Sequence, residues 1–112
     1  MRTWLEIQSI DLAKLPQRYK YLLAVFMIGY TNEYVEMPNM LTRAHNHPLN
    51  GTKYKSSYGN ALKCLDKHRS AGMVDRKDNP VRFKIRENKQ VKKKIAHVLN
   101  NYYGIELSPD EF

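Results

Sequence analysis

A chain of 112 residues is long enough for one domain with a modest core and too short for two, and its single cysteine, Cys64, excludes an internal disulfide. The net charge of +8 is concentrated. Residues 51–97 hold fourteen Lys/Arg against four acids, a net +10, whereas residues 1–50 are nearly neutral and residues 98–112 carry three acids and no base. Charge placed this way points to a polyanionic partner. The longest apolar run, YLLAVFMIGY at residues 21–30, is well short of the ~20 residues that a bilayer-spanning helix needs, and the first residues do not read as a basic segment, apolar core and cleavage site. No membrane span and a cytoplasmic location are therefore expected.

Residues 1–15 read as an N-terminal extension in which WLEIQSI suits a strand and SIDLAKL a helix from Ser9 or Asp11; a short helix packed on the next one is expected. Pro16 suits a first helical turn, and Tyr19, Leu22, Leu23, Phe26, Met27 and Tyr30 recur at helical spacing up to Gly29. EYVEM at 33–37 alternates as a brief strand. Pro38 then opens a two-turn helix with Met40, Leu41 and Ala44 inward, ended by His47-Pro48. PLNGTKYK at 48–55 reads as a polar loop turning at Asn50-Gly51.

Ser56 or Ser57 would cap the next helix, SYGNALKCLDKHRSA, which Gly72 closes in a left-handed position; Ala61, Leu62, Leu65 and Met73 face inward. MVDRK, a turn at Asp78-Asn79-Pro80 and VRFKI make a hairpin, with Val81, Phe83 and Ile85 on one face and Arg82, Lys84 and Arg86 on the other. A last helix over 88–103 carries the stripe Val91, Ile95, Val98, Leu99 and Tyr102, and stops at Gly104 before a tail at 104–112 whose acids Glu106, Asp110 and Glu111 are expected to fray.

The order helix, strand, helix, helix, hairpin, helix, together with ALKCLDKHRSAGMV as the end of a recognition helix and VRFKI as a returning wing strand, resembles the winged-helix branch of the helix-turn-helix superfamily. The likeness is to the compact form seen in MarR-, ArsR- and PadR-like regulators. The resemblance implies an α+β, mostly helical fold: one winged helix-turn-helix domain over 1–112, with the helix-turn-helix and a two-stranded wing in 16–87 and a C-terminal helix after it. In many such regulators the terminal helix makes a homodimer, which would put Val91, Ile95, Val98, Leu99 and Tyr102, with the Trp4 segment beside them, in a dimer interface. The residues alone equally allow that stripe to dock on its own domain.

Four groups of residues carry possible chemistry. Ser56, Asn60, Lys63 and Lys67 fall on one helical face, where an amide can pair with an adenine edge and an ammonium with guanine; the bland alternative is a solvated face. Lys53, Tyr54, Lys55, Ser57 and Tyr58 interleave cations, hydroxyls and rings suited to a phosphate backbone, unless the rings pack beneath the loop. On the wing, Arg76 and Lys77 lead in and Arg82, Lys84 and Arg86 lead out, with alternate cations about 7 Å apart, near the phosphate spacing of one strand. The alternative there is protection of an edge strand. His45, His47, Cys64 and His68 are zinc-ligand types, but their spacing matches no zinc module; Cys64 reads as a small core residue and His68 as a surface or phosphate-contacting one. No nucleotide loop, nucleophile elbow or carboxylate pair is evident, so no enzyme and no cofactor are expected.

These features point to a sequence-specific binder of double-stranded DNA, a small transcriptional regulator or repressor acting as a dimer. A plasmid or phage centromere-binding adaptor for DNA segregation shares the same chemistry. A winged-helix module with an acidic protein partner, and an RNA binder stacking bases on Tyr54 and Tyr58, are the alternatives from other classes.

Overall fold

The central element is an apolar helix on which the other described elements pack. A computed structural model of the protein describes residues 6–106. In it α1, Gln17–Gly29, has Pro16 at its N-cap and buries every residue from 21 to 27, so this helix is enclosed on all sides instead of being packed along one stripe. It stops where Tyr30 adopts φ 53° and returns its N–H to the Phe26 carbonyl at 2.8 Å. Gly29 permits the next segment to come close, because a Cβ there would lie 2.8 Å from the Val35 side chain.

β1, Val35–Glu36, leads into α2, Met37–His45, with Pro38 in its first turn and Met37, Met40, Leu41 and Ala44 buried. A left-handed Asn46 ends α2, ahead of the His47-Pro48 stop expected from sequence. α3 follows as Gly51–Ser70. Gly72 with φ 80° and a bond from Met73 N–H to the His68 carbonyl at 2.9 Å close it as anticipated. β2, Val74–Lys77, and β3, Arg82–Ile85, form the hairpin. α4, Lys89–Tyr103, starts on the Asn88 side chain, which accepts from Val91 N–H at 2.9 Å, and stops at left-handed Gly104.

The fold is α+β and mostly helical. Its sheet has three antiparallel strands in the order β1-β3-β2, one more than the two-stranded wing expected. Val35 pairs with Phe83, Glu36 with Arg82, Val74 with Ile85 and Lys77 with Arg82. Val35, Phe83, Ile85 and Val74 enter the core, and burial of each such side chain stabilises by about 1.5–3 kcal/mol.

The N-terminal extension belongs to that core. Its helical turn lies at residues 6–8, before the predicted Ser9 or Asp11 start, and Ile7, Leu12 and Leu15 are buried. Arg43 donates to the Gln8 and Ile10 carbonyls, and the Tyr103 hydroxyl donates to the Asp11 carbonyl at 2.7 Å, pinning the extension to α2 and α4. Trp4, Asp110 and Glu111 lie outside the described residues.

Candidate nucleic-acid interface

The segment expected to be a loop is the first turn and a half of α3. Asn50 supplies the extended N-cap residue, and from Tyr54, whose N–H bonds the Asn50 carbonyl, the amides are engaged within the helix. Ser56 and Ser57 therefore cap nothing, and their amides are not open to phosphate. The physical reason is apolar. Tyr54 and Tyr58, four residues apart, are half-buried against the core with ring centroids 6.0 Å apart, so extending the helix lets both rings pack on one face. The rings pack on each other and on the core, and Ser57, on the side towards Tyr21, is half-buried with them.

The opposite side of α3 is open. Lys53, Ser56, Asn60, Lys63 and Lys67 are exposed and follow one another at steps of three or four residues as a continuous strip, whereas Lys55, also exposed, lies off it towards Leu62. Among the described residues no ion pair or side-chain hydrogen bond engages Lys53, Ser56, Asn60, Lys63 or Lys67.

The five wing cations divide into two kinds. Arg76 Nη1 reaches both oxygens of Asp66 on α3 at 3.1 and 3.0 Å, and its Nε reaches Asp78 at 2.7 Å, while its guanidinium lies 5.9 Å from the Phe83 ring centroid. Arg76 thus ties the hairpin to α3, and Asp78, then Asp66, raise its pKa. Arg86 is held by Asp75 at 2.7 Å. The other three converge on Tyr34, a residue not singled out from sequence: Lys77 Nζ lies 4.6 Å, Lys84 Nζ 5.2 Å and Arg82 Cζ 5.9 Å from its ring centroid. Among the described residues no carboxylate comes within ion-pair distance of Lys77, Arg82 or Lys84, although the register sets Glu36 opposite Arg82. Arg82 Nε is buried and has no hydrogen-bond partner among the described residues.

His68 corrects the sequence reading. It is 8% exposed, on the inner face of α3, and its Nε2 donates to the Arg18 carbonyl at 2.7 Å. Burial lowers its pKa, the carbonyl bond opposes that shift, and Lys94 adds to it. Cys64, beside it, donates to the Gln17 carbonyl at 3.2 Å, and burial pushes its thiol up. His45 Nε2 lies 3.1 Å from the Tyr21 hydroxyl, and burial, with Lys20 and His47, lowers its pKa. Among the described residues no three His, Cys, Asp or Glu side chains are grouped to hold a metal ion.

The dimer surface expected on α4 is also corrected. Val91, Ile95, Val98 and Leu99 are at most 1% exposed within a single chain, so the stripe docks on its own core and cannot meet a partner. Tyr102 alone of the five is exposed, at 47%, with its ring 6.0 Å from that of Tyr19.

No protein-family model, curated protein or solved structure matches the chain. Among the described residues no helix is long and apolar enough to cross a membrane.

Proposed function

We propose that this protein is a winged-helix-type binder of double-stranded DNA, with α3 in the major groove and the outer face of the sheet on the phosphate backbone. The observation that carries the reading is the open strip of α3: an amide, a hydroxyl and three ammonium groups, unpaired, on a helix fixed to a cationic hairpin through Arg76 and Asp66. Asn60 and Lys63 are the base readers, while Lys53, Lys67, Lys77, Arg82 and Lys84 neutralise phosphates. The biological role that fits is regulation of transcription by occluding a promoter.

Because the α4 stripe is internal, any pairing of two chains on one duplex would use another surface. Selection of bound fragments from a random duplex library, followed by titration of the enriched pool at two salt concentrations, tests the reading. A short enriched motif is expected, with affinity falling by about 500-fold between 50 and 200 mM salt if Lys53, Lys67, Lys77, Arg82 and Lys84 each neutralise one phosphate charge. A palindromic motif would show pairing of two chains through another surface, and tandem repeats would favour segregation over repression. Failure to enrich any sequence would end the reading as a sequence-specific protein.

A further inference from the structure

We propose that Tyr34, Lys77, Arg82 and Lys84 form a preorganised seat for a phosphate oxyanion on the outer face of the sheet, with Tyr34 as its positioning residue. The strands dictate the cluster. β3 is the central strand, bonded on both sides, so Arg82 and Lys84 leave one face from a backbone that is fixed on each edge. Lys77 stands opposite Arg82 on β2, and continuing the β1 register by one residue sets Tyr34 beside Lys84. The ring then gathers three cationic heads within 4.6 to 5.9 Å of one point.

Charge accounting singles these three out from their neighbours. The carboxylates of the hairpin region are committed elsewhere: Asp75 to Arg86, Asp66 and Asp78 to Arg76. One aromatic face attracts a cation but cannot neutralise three, and like charges held this close repel one another. An anion placed among them relieves the repulsion, and Glu36, which stands across from Arg82 on β1, forms no ion pair with any of the three. The donor set selects its chemistry. Two ammonium groups and a guanidinium approach from two strands, Lys77 from β2 and Arg82 and Lys84 from β3, which suits the several oxygens of a tetrahedral phosphate better than the flat pair of a carboxylate. The source assigned is the phosphodiester of a nucleic-acid backbone; this assignment, unlike the seat itself, rests on the function proposed above.

The test uses the full chain and inorganic phosphate as the probe. Its Tyr34 ring and Arg82 Nε–H resonances are followed by NMR during titration with phosphate at constant ionic strength, with chloride as the reference ion. Saturable shifts are expected in the native protein and loss of saturation in Lys84→Gln, which removes one cation without touching the ring. Tyr34→Phe should retain binding, since the ring remains, and Tyr34→Leu should weaken it about fivefold by releasing the heads. Thermal midpoints of the variants confirm that each is folded. Phosphate shifts no larger than those from chloride would overturn the seat. A second arm measures duplex affinity: Tyr34→Leu should lower it for every sequence alike. Saturable phosphate binding with unchanged duplex affinity would overturn the backbone assignment and leave another phosphate source, such as a phosphorylated peptide, for the seat. Loss of duplex binding by the native protein itself would instead count against the function proposed above, with the phosphate arm still decisive for the seat.

Discussion

α3 and α4 are both lysine-rich, yet their lysines have different neighbours. On α4, Lys92 lies 3.7 Å from Glu87 and Lys94 sits 5.8 Å from the Tyr19 ring centroid, above a stripe that is fully buried. On α3, only Ala61, Leu65 and His68 are buried, and the opposite strip has no internal partner. A helix with a wide apolar stripe and well-made caps is held as a piece of the core, and its charges cover it. A helix with a thin apolar face leaves most of its circumference for something else. Lysine density alone does not separate the two; the width of the buried stripe does.

The largest effect expected is on α4. Ile95→Ala removes a fully buried side chain and should cost about 2–5 kcal/mol. Urea unfolding measured at two protein concentrations checks it: the loss should be the same at both, whereas a stripe shared between two chains would make the midpoint depend on concentration. The comparison predicts the reverse on α3. Asn60→Ala and Lys63→Ala should leave the urea midpoint within about 0.5 kcal/mol of native. Each should relax preference for the selected duplex by about 1–3 kcal/mol, read as the ratio of specific to random-duplex affinity. If specificity survived both changes, the open strip would not be the reading face.

How much of this was legible beforehand depended on whether a signal was local. The period of Val91, Ile95, Val98 and Leu99 and the alternation of Phe83 and Ile85 are local, and they placed α4 and β3 correctly. What the stripe of α4 packs against is a tertiary fact, which is why a dimer surface and an internal one looked alike. The pairing of β1 with β3 joins residues far apart in sequence, so Tyr34 gave no sign of standing among three cations, although its place next to Val35 did put it on the outward-facing side. The start of α3 was misplaced because Asn50-Gly51 and two serines are strong local turn and cap signals. The packing of Tyr54 and Tyr58 on the core outweighed them.

His68 on the inner face of α3 adds a pH dependence that the open strip does not share. Burial lowers the pKa of His68, and likewise of His45, so the folded chain favours both in the neutral form, with Lys94 near the first and Lys20 and His47 near the second pushing the same way. In the unfolded chain they titrate near their ordinary value of about 6.5. Their contribution is fully present above that pH and is lost as pH falls below it, where the unfolded chain takes up protons the folded one refuses. The urea midpoint should therefore drop between pH 7.5 and 5.5, and His68→Gln should flatten part of that slope. A midpoint that rose on acidification would show that the folded chain prefers the charged rings.

The smallest effect is the sharpest test of where α3 begins. Gly59 sits in the interior of the helix, is exposed, and has nothing within 4 Å of where a Cβ would stand. Glycine in such a position costs about 0.5–1 kcal/mol relative to alanine, because the unfolded chain gives up more freedom on ordering. With the helix starting at Gly51, Gly59→Ala should raise the urea midpoint by that amount at unchanged slope. With a start at Ser56 or Ser57, position 59 would fall in a fraying first turn and the gain would shrink towards nothing. The same methyl lies beside Asn60, at the edge of the strip assigned to the major groove. A variant that is more stable yet binds duplex DNA differently would therefore place the first half of α3 in the interface, whereas one that is more stable with unchanged binding would confine base contact to the half that carries Lys63.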